Sequence, residues 1–286
     1  MKYSYYPGCA QHGTAVDYRM SVEAVFARLG IELEEIRNWN CCGALHVDDR
    51  TTRVALSART LASSKGLDIA TPCNLCYSNL MRARTALEDS PLKSRINEAL
   101  TTKYDGNTKP KHLLEVIVKD FGLAKLGEQV KKPLKIKAAP YYGCLLTRPE
   151  NDFDSPENPI SLDKLISSIG AEPVRYYYKT KCCGGPILIT NEELALGLAK
   201  DLLVMAKDSG ADCMAVTCPM CHLQLDAKQK AVEAKFNIKI DMPIIYFTQL
   251  IGLAIDIPPK ELGLDKHLVS TDKLLAAIEG GKNAGE

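Results

Sequence analysis

The sequence is most informative at first through what it lacks. It has almost no net charge: 36 Lys and Arg stand against 35 Asp and Glu in 286 residues. Nucleic-acid binders need a basic face to neutralise phosphates, and this balance gives no reason to expect one. No run of 18 consecutive apolar residues occurs, so no membrane-spanning helix is expected. The N-terminal stretch MKYSYYPGCAQHG has no apolar signal core, so export is not expected and a cytoplasmic location is. There is no G-x-G-x-x-G, hence no sign of a dinucleotide site. There is no compact C-x-x-C-x-x-C-x-x-x-C-P run either, hence no sign of an ordinary cubane relay. What remains is a soluble composition, 46% apolar and 25% charged, able to bury a sizeable core.

Cysteine, by contrast, is plentiful: Cys9, Cys41, Cys42, Cys73, Cys76, Cys144, Cys182, Cys183, Cys213, Cys218 and Cys221. An odd number in a long chain without an export signal argues against a disulfide framework and for bound metal. The spacing contains a repeat. Cys9, 31 residues, Cys41-Cys42-Gly43, 29 residues and Cys73-Asn-Leu-Cys76 make one unit. Cys144, 37 residues, Cys182-Cys183-Gly184, 33 residues and Cys218-Pro-Met-Cys221 make the second. Each reads C…CCG…CxxC. The flanks agree: YSYYPGC with APYYGC, LGIELEEIRNWNCCG with IGAEPVRYYYKTKCCG, and LDIATPCNLC with ADCMAVTCPMC. Cys213 is left over, inside a buried strand, where a thiol behaves as a small core hydrophobe.

The same periodicity predicts three strands per unit. KYSYY and KIKAAPYY enter the first Gly-Cys turn, a second strand leads to each CCG, and LDIAT and CMAVT end at each CxxC. Helices are expected over 15–29, with Val16, Met20, Val22, Val25, Phe26 and Leu29 on one face, and over 161–169. A third should begin at a capping box of Thr190 and Glu193. Strands alternating with helices predict a parallel α/β fold, with the paired cysteines at the strand ends where such sheets bind ligands. Two units follow, 1–132 with a helical extension over 77–132, and 133–286. Residues 149–159, PENDFDSPENP, read as a loop. Residues 242–257 read as one buried helix, and the last 25 or so residues as a surface tail.

One C-x-x-C is a two-pronged grip that zinc, iron–sulfur clusters and redox dithiols all use. Zinc sites and ordinary clusters take four cysteines, and each unit offers five. Neighbours in extended chain point to opposite sides, so Cys41 and Cys42 are not expected to meet one small ion easily. They suit a wider object, with Gly43 allowing a tight turn. A four-cysteine zinc site with one spectator thiol per unit stays open as the alternative.

The doubled C…CCG…CxxC, with KHLLEV, RPENDFDSPENP and YFTQLIGLA, resembles the B subunit of heterodisulfide reductase over nearly the whole chain. Related halves occur in lactate- and glycolate-oxidising complexes, in the E subunit of archaeal-type succinate dehydrogenase and in sulfur-oxidising Hdr-like complexes. The resemblance implies two CCG modules about a pseudo-twofold and two non-cubane [4Fe-4S] clusters between them. Cys9, Cys41, Cys42, Cys73 and Cys76 would hold the first, and Cys144, Cys182, Cys183, Cys218 and Cys221 the second. Zinc in the first module is a minor alternative. The implied function is the catalytic subunit that cleaves or forms a disulfide or related sulfur–sulfur bond in one-electron steps. The alternative is a non-catalytic electron-transfer or attachment subunit of a dehydrogenase. An HdrC-like cubane iron–sulfur subunit and an HdrA-like flavoprotein are the implied partners. His12, His46 and His222, close in sequence to ligand positions, could donate protons, and Arg148 and Lys181 could neutralise an acidic substrate or the cluster. A surface or structural role is the bland reading of each.

Overall fold

The computed structural model describes residues 1–44, 46–148 and 153–280. Among the described residues, eight strands form two four-stranded sheets. The first holds β1 (Lys2–Tyr5), β2 (Glu32–Glu35), β3 (Ile69–Thr71) and β4 (Pro110–His112), in the order β2-β1-β3-β4. The second holds β5 (Lys137–Tyr141), β6 (Glu172–Pro173), β7 (Cys213–Val216) and β8 (Ile244–Tyr246), in the equivalent order β6-β5-β7-β8. Every pairing is parallel, with Ser4 opposite Ile69 and Ala138 opposite Cys213. Inner strands of a helix-covered sheet are buried on both faces, and β7, Cys-Met-Ala-Val, is buried throughout. The edge strand β2, Glu-Leu-Glu-Glu, carries charge that blunts edge-to-edge pairing.

The two repeats exchange helices. The Val16–Arg28 helix of the first packs on the Phe247–Ala254 helix that follows β8. In return, the Ser161–Ser168 helix of the second packs on the helical run 113–129 that follows β4. This reciprocity is what a two-fold relation between halves requires. At the first contact Tyr18 stacks on Tyr246, ring centroids 3.9 Å apart, and the Ser21 and Thr248 hydroxyls share a hydrogen bond of 2.7 Å.

Several expectations change. Each sheet has a fourth strand, because Pro110–His112 and Ile244–Tyr246 extend along β3 and β7. The stretch 242–257 is therefore strand, then a buried helix over Phe247–Ala254, since Ile-Ile-Tyr favours the extended form. The Gln249 side chain then accepts from the Tyr246 backbone N–H at 2.9 Å and starts the helix. The Glu192–Asp208 helix is capped by Asn191, whose side chain accepts from Leu194 N–H at 3.0 Å, in place of the Thr190–Glu193 box. The C-terminal stretch is not a surface tail. Leu262, Leu264, Val269 and Leu274 are buried, and Asp226 accepts from the Leu268 and Val269 N–H groups. Residues 281–286, and 149–152 of the predicted loop, lie outside the described residues.

Candidate metal centre

All ten paired cysteines follow strand ends at the carboxyl edges of the sheets. Cys9 sits in the Gly8–Gln11 turn after β1, Cys73 caps the helix after β3, and Cys144 and Cys218 occupy the equivalent places after β5 and β7. The CCG segments follow β2 and β6. Gly43 and Gly184 turn them through left-handed backbone, φ 75 and 82.

Nine of the ten thiols act on one another in one continuous series. It runs Cys41, Cys42, Cys76, Cys73, then crosses between repeats to Cys218, Cys221, Cys183, Cys182 and Cys144. The crossing joins Cys73 to Cys218, which are equivalent positions of the two units. Three sulfurs act as acceptors toward both of their neighbouring donors, while Cys73 and Cys183 accept from one side only. Cys42 takes the Cys41 and Cys76 thiols, which lower it to about 3. Cys182 takes Cys144 and Cys183, which lower it to about 2. Cys218 takes Cys221 and Cys73 and is likewise depressed. The donors move the other way, Cys183 to about 12 through Cys182. Backbone donors add to this: Gly184 and Gly185 N–H point at the Cys182 and Cys183 sulfurs at 3.4 Å. The only cationic side chain among the leading influences on the three depressed thiols is Arg148, on Cys182. An all-sulfur donor set, six of its nine members buried, with so little compensating charge suits thiophilic metal.

Cys41 and Cys42 act on each other, as do Cys182 and Cys183, where the CCG glycine turns the chain. Cys9 stands apart: it is exposed and influences Cys41 only through charge. Cys213 is fully buried on β7, and burial raises its thiol well above the ordinary range.

Polar side chains that sequence spacing did not single out hold the crossing. The buried Asn74 donates to Tyr142 O at 2.6 Å and accepts from Thr217 Oγ1 at 3.2 Å, tying the two repeats beside Cys73 and Cys218. Asn79 donates to Cys42 O at 3.0 Å. Their only sequence signal is adjacency: Asn74 follows Cys73, and Thr217 precedes Cys218.

The predicted histidines separate. His12 makes a half-exposed ion pair with Glu35 at 3.2 Å, and His46 is exposed. His222 is buried, 3.0 Å from Ile244 O and stacked on Tyr246, with Asp17 and His267 beside it. That trio resembles a metal triad, but the Gln249 amide is fixed by Tyr246 N–H and Leu262 O. It therefore donates into His267 Nε2 at 2.8 Å, which occupies the lone pair a metal would need. Lys181 pairs with Asp201 at 2.9 Å. Arg148 joins Arg50, Arg53, Arg82 and Asn79 around a groove of about 780 Å³. Asn79 links that groove to the first thiol set and Arg148 links it to the second. Another groove, of about 550 Å³, lies between the Val16–Arg28 helix and β2 and contains no thiol.

Among the described residues no helix is long and apolar enough to cross a membrane. The cysteine-rich CCG domain profile matches residues 3–81 and 138–226. The chain is 35% identical over 284 residues to the 8-methylmenaquinol:fumarate reductase membrane anchor subunit of Wolinella succinogenes, covering 96% of this chain and 99% of that one. It is 31% identical over 290 residues to the B subunit of the ferredoxin/F(420)H(2)-dependent CoB-CoM heterodisulfide reductase of Methanosarcina acetivorans, covering 97% of each. A protein of Archaeoglobus profundus described as like the heterodisulfide reductase B subunit is 32% identical over 278 residues, 92% of this chain and 93% of that one. A crystal structure of a hypothetical Helicobacter pylori protein superposes with a TM-score of 0.76 at 16% identity. It covers 94% of this chain, which spans 52% of that longer one, and it speaks to fold alone. The doubled motif, the two equivalent parallel sheets and these relatives agree: the chain belongs to the cysteine-rich CCG domain family, in the tandem form shared with heterodisulfide reductase B subunits.

Proposed function

We propose that this chain is the iron–sulfur catalytic subunit of a cytoplasmic heterodisulfide reductase-like complex, cleaving or forming a sulfur–sulfur bond. The observation that carries the reading is the crossing from Cys73 to Cys218, which brings two equivalent thiol sets into one continuous array. Cys9, Cys41, Cys42, Cys73 and Cys76 would hold one non-cubane [4Fe-4S] cluster, and Cys144, Cys182, Cys183, Cys218 and Cys221 the other. When bound, these clusters supply single electrons, two of which a disulfide needs to become two thiols. The chain's own part is positional. The glycine turns set the tandem thiols, Asn74 and Thr217 fix the crossing, and backbone N–H groups stabilise the anionic sulfurs. The arginine groove abutting both sets would draw in the acidic groups of a substrate.

Electrons would come from an HdrC-like cubane protein linked to an HdrA-like flavoprotein. Ile189 and Leu194, 98% and 51% exposed just beyond the second CCG, offer an apolar surface for such a partner. The 35% identity to a fumarate reductase membrane anchor subunit favours a second reading, a non-catalytic electron-transfer or attachment subunit. Anaerobically purified protein should be brown and contain about eight irons per chain, two clusters of four; zinc in place of iron would sink both readings. Reduced viologen with a heterodisulfide then separates them. Release of two thiols supports catalysis, while electron transfer to quinone without thiol release supports the relay.

A further inference from the structure

Beside the thiol array lies a buried donor that the function proposed above does not use. His112 ends β4, opposite Thr71 of β3, and is completely buried. Its Nδ1 accepts from Leu114 N–H at 3.1 Å and so caps the helical run that follows. An imidazole nitrogen that accepts a backbone N–H carries no proton, so the proton of the neutral ring sits on Nε2. Among the described residues, that Nε2 has no partner at hydrogen-bond geometry. Strand pairing places the ring beside the crossing: His112 lies opposite Thr71, two residues before Cys73, and the Pro72 and Thr217 carbonyls and the Cys218 charge act on it. The ring cannot easily swing away, because the cap holds one edge and Tyr77 of the first repeat and Phe247 of the second flank it. An unpartnered N–H in a sealed interior calls for an explanation.

The equivalent position in the second repeat is Tyr246, opposite Val216. Its ring is stacked between Tyr18 and His222. The crossing is therefore approached by an imidazole N–H from one repeat only. We infer that His112 is a positioning residue of the crossing, whose inward-facing Nε2–H, claimed by no acceptor at hydrogen-bond geometry, stabilises negative charge at the Cys218 side. The two metal centres, held by equivalent ligands, would then differ in reduction potential. This rests on the iron–sulfur reading above. Hydrogen-bond donors around ligating sulfur favour the more negative, reduced form and raise its potential.

Three substitutions separate the ring's two duties. His112→Asn keeps an acceptor for the Leu114 cap and withdraws the inward donor. His112→Gln extends an amide N–H to the place of Nε2. His112→Phe removes both. Redox titration of anaerobically purified protein, followed by electron paramagnetic resonance with iron counted per chain, reads the result. Cys218→Ser identifies the signal of the second centre. H112N should shift that centre's potential downward with iron content and the other centre unchanged, and H112Q should recover most of the shift. Should H112F fail to load iron, H112N, which retains the cap, carries the comparison. Unmoved potentials in H112N, equal shifts at both centres, or H112Q behaving like H112N would overturn the inference while the iron–sulfur reading stood. Iron-free wild-type protein would remove both.

Discussion

Replacing Gly8 by alanine should cost this protein metal as well as stability, and a second glycine supplies the control. Gly8 turns the chain from β1 into Cys9 with φ +69, and an added Cβ would lie 2.9 Å from the Cys76 sulfur. Gly30, after the Val16–Arg28 helix, has φ +68 and nothing within 4 Å of an added Cβ. Left-handed backbone costs a non-glycine residue about 1–2 kcal/mol, the same at both sites. Only Gly8→Ala adds a clash. Ordinary non-bonded contact needs about 3.5–4 Å, so the Cys76 sulfur must retreat by roughly 0.6–1 Å. Overpacking of this kind adds about 1–3 kcal/mol. Metal–sulfur bonds tolerate only about 0.2 Å, so the displaced thiol ceases to be a ligand. Urea unfolding should therefore show losses of about 1–2 kcal/mol for G30A and about 2–5 kcal/mol for G8A. Iron analysis should show full loading for G30A and up to half the iron, about four atoms, missing from G8A. If G8A matches G30A in both measurements, Cys76 is not held against a metal where the fold places it.

Four further outcomes follow from the same geometry. Cys213→Ala should leave iron content unchanged and cost about 1 kcal/mol of unfolding free energy, since that thiol is core packing; loss of iron would make it a ligand. Asn74→Ala removes two buried hydrogen bonds across the repeats and should cost about 1–3 kcal/mol by denaturant titration, a neutral result refuting its bridging role. Burial raises the Asp17 carboxyl from 3.8 to about 6, so the folded state binds a proton there that the unfolded state has already released. The stability this protonated group contributes is lost as pH rises from about 4 to 6, and Asp17→Asn should remove about 2–3 kcal/mol of pH dependence over that window, seen by comparing its stability–pH curve with that of the wild type. Arg148→Ala should raise KM for an acidic disulfide several-fold, with the effect shrinking at high salt. An unchanged KM would separate the arginine groove from substrate binding.

Much of this protein was readable from residue order. The paired cysteines, the repeat and the parallel α/β class followed from spacing and hydrophobic period, because ligands at strand ends are local in sequence. Cys213 separated from the others for the same reason, lying inside a strand rather than after one. What escaped was non-local. Strand β4 is three residues long and exists because β3 lies beside it, and β8 was hidden in an apolar run that read as helix. Leu262 to Leu274 looked peripheral until Asp226, far away in sequence, was found to hold Leu268 and Val269.

The sequence alone determined that two sets of five thiols exist and that each lies at the edge of a parallel sheet. Spacing could not determine that the sets meet, which only the family resemblance implied. Tertiary structure decided that, through the exchanged helices, the Asn74–Thr217–Tyr142 contacts and the Cys73–Cys218 crossing. It also decided that a histidine with no cysteine near it in sequence, His112, lies at the crossing. The physical reason is the same in each case: spacing fixes what one strand and its loop present, while contacts between residues far apart in sequence arise only when two cores pack.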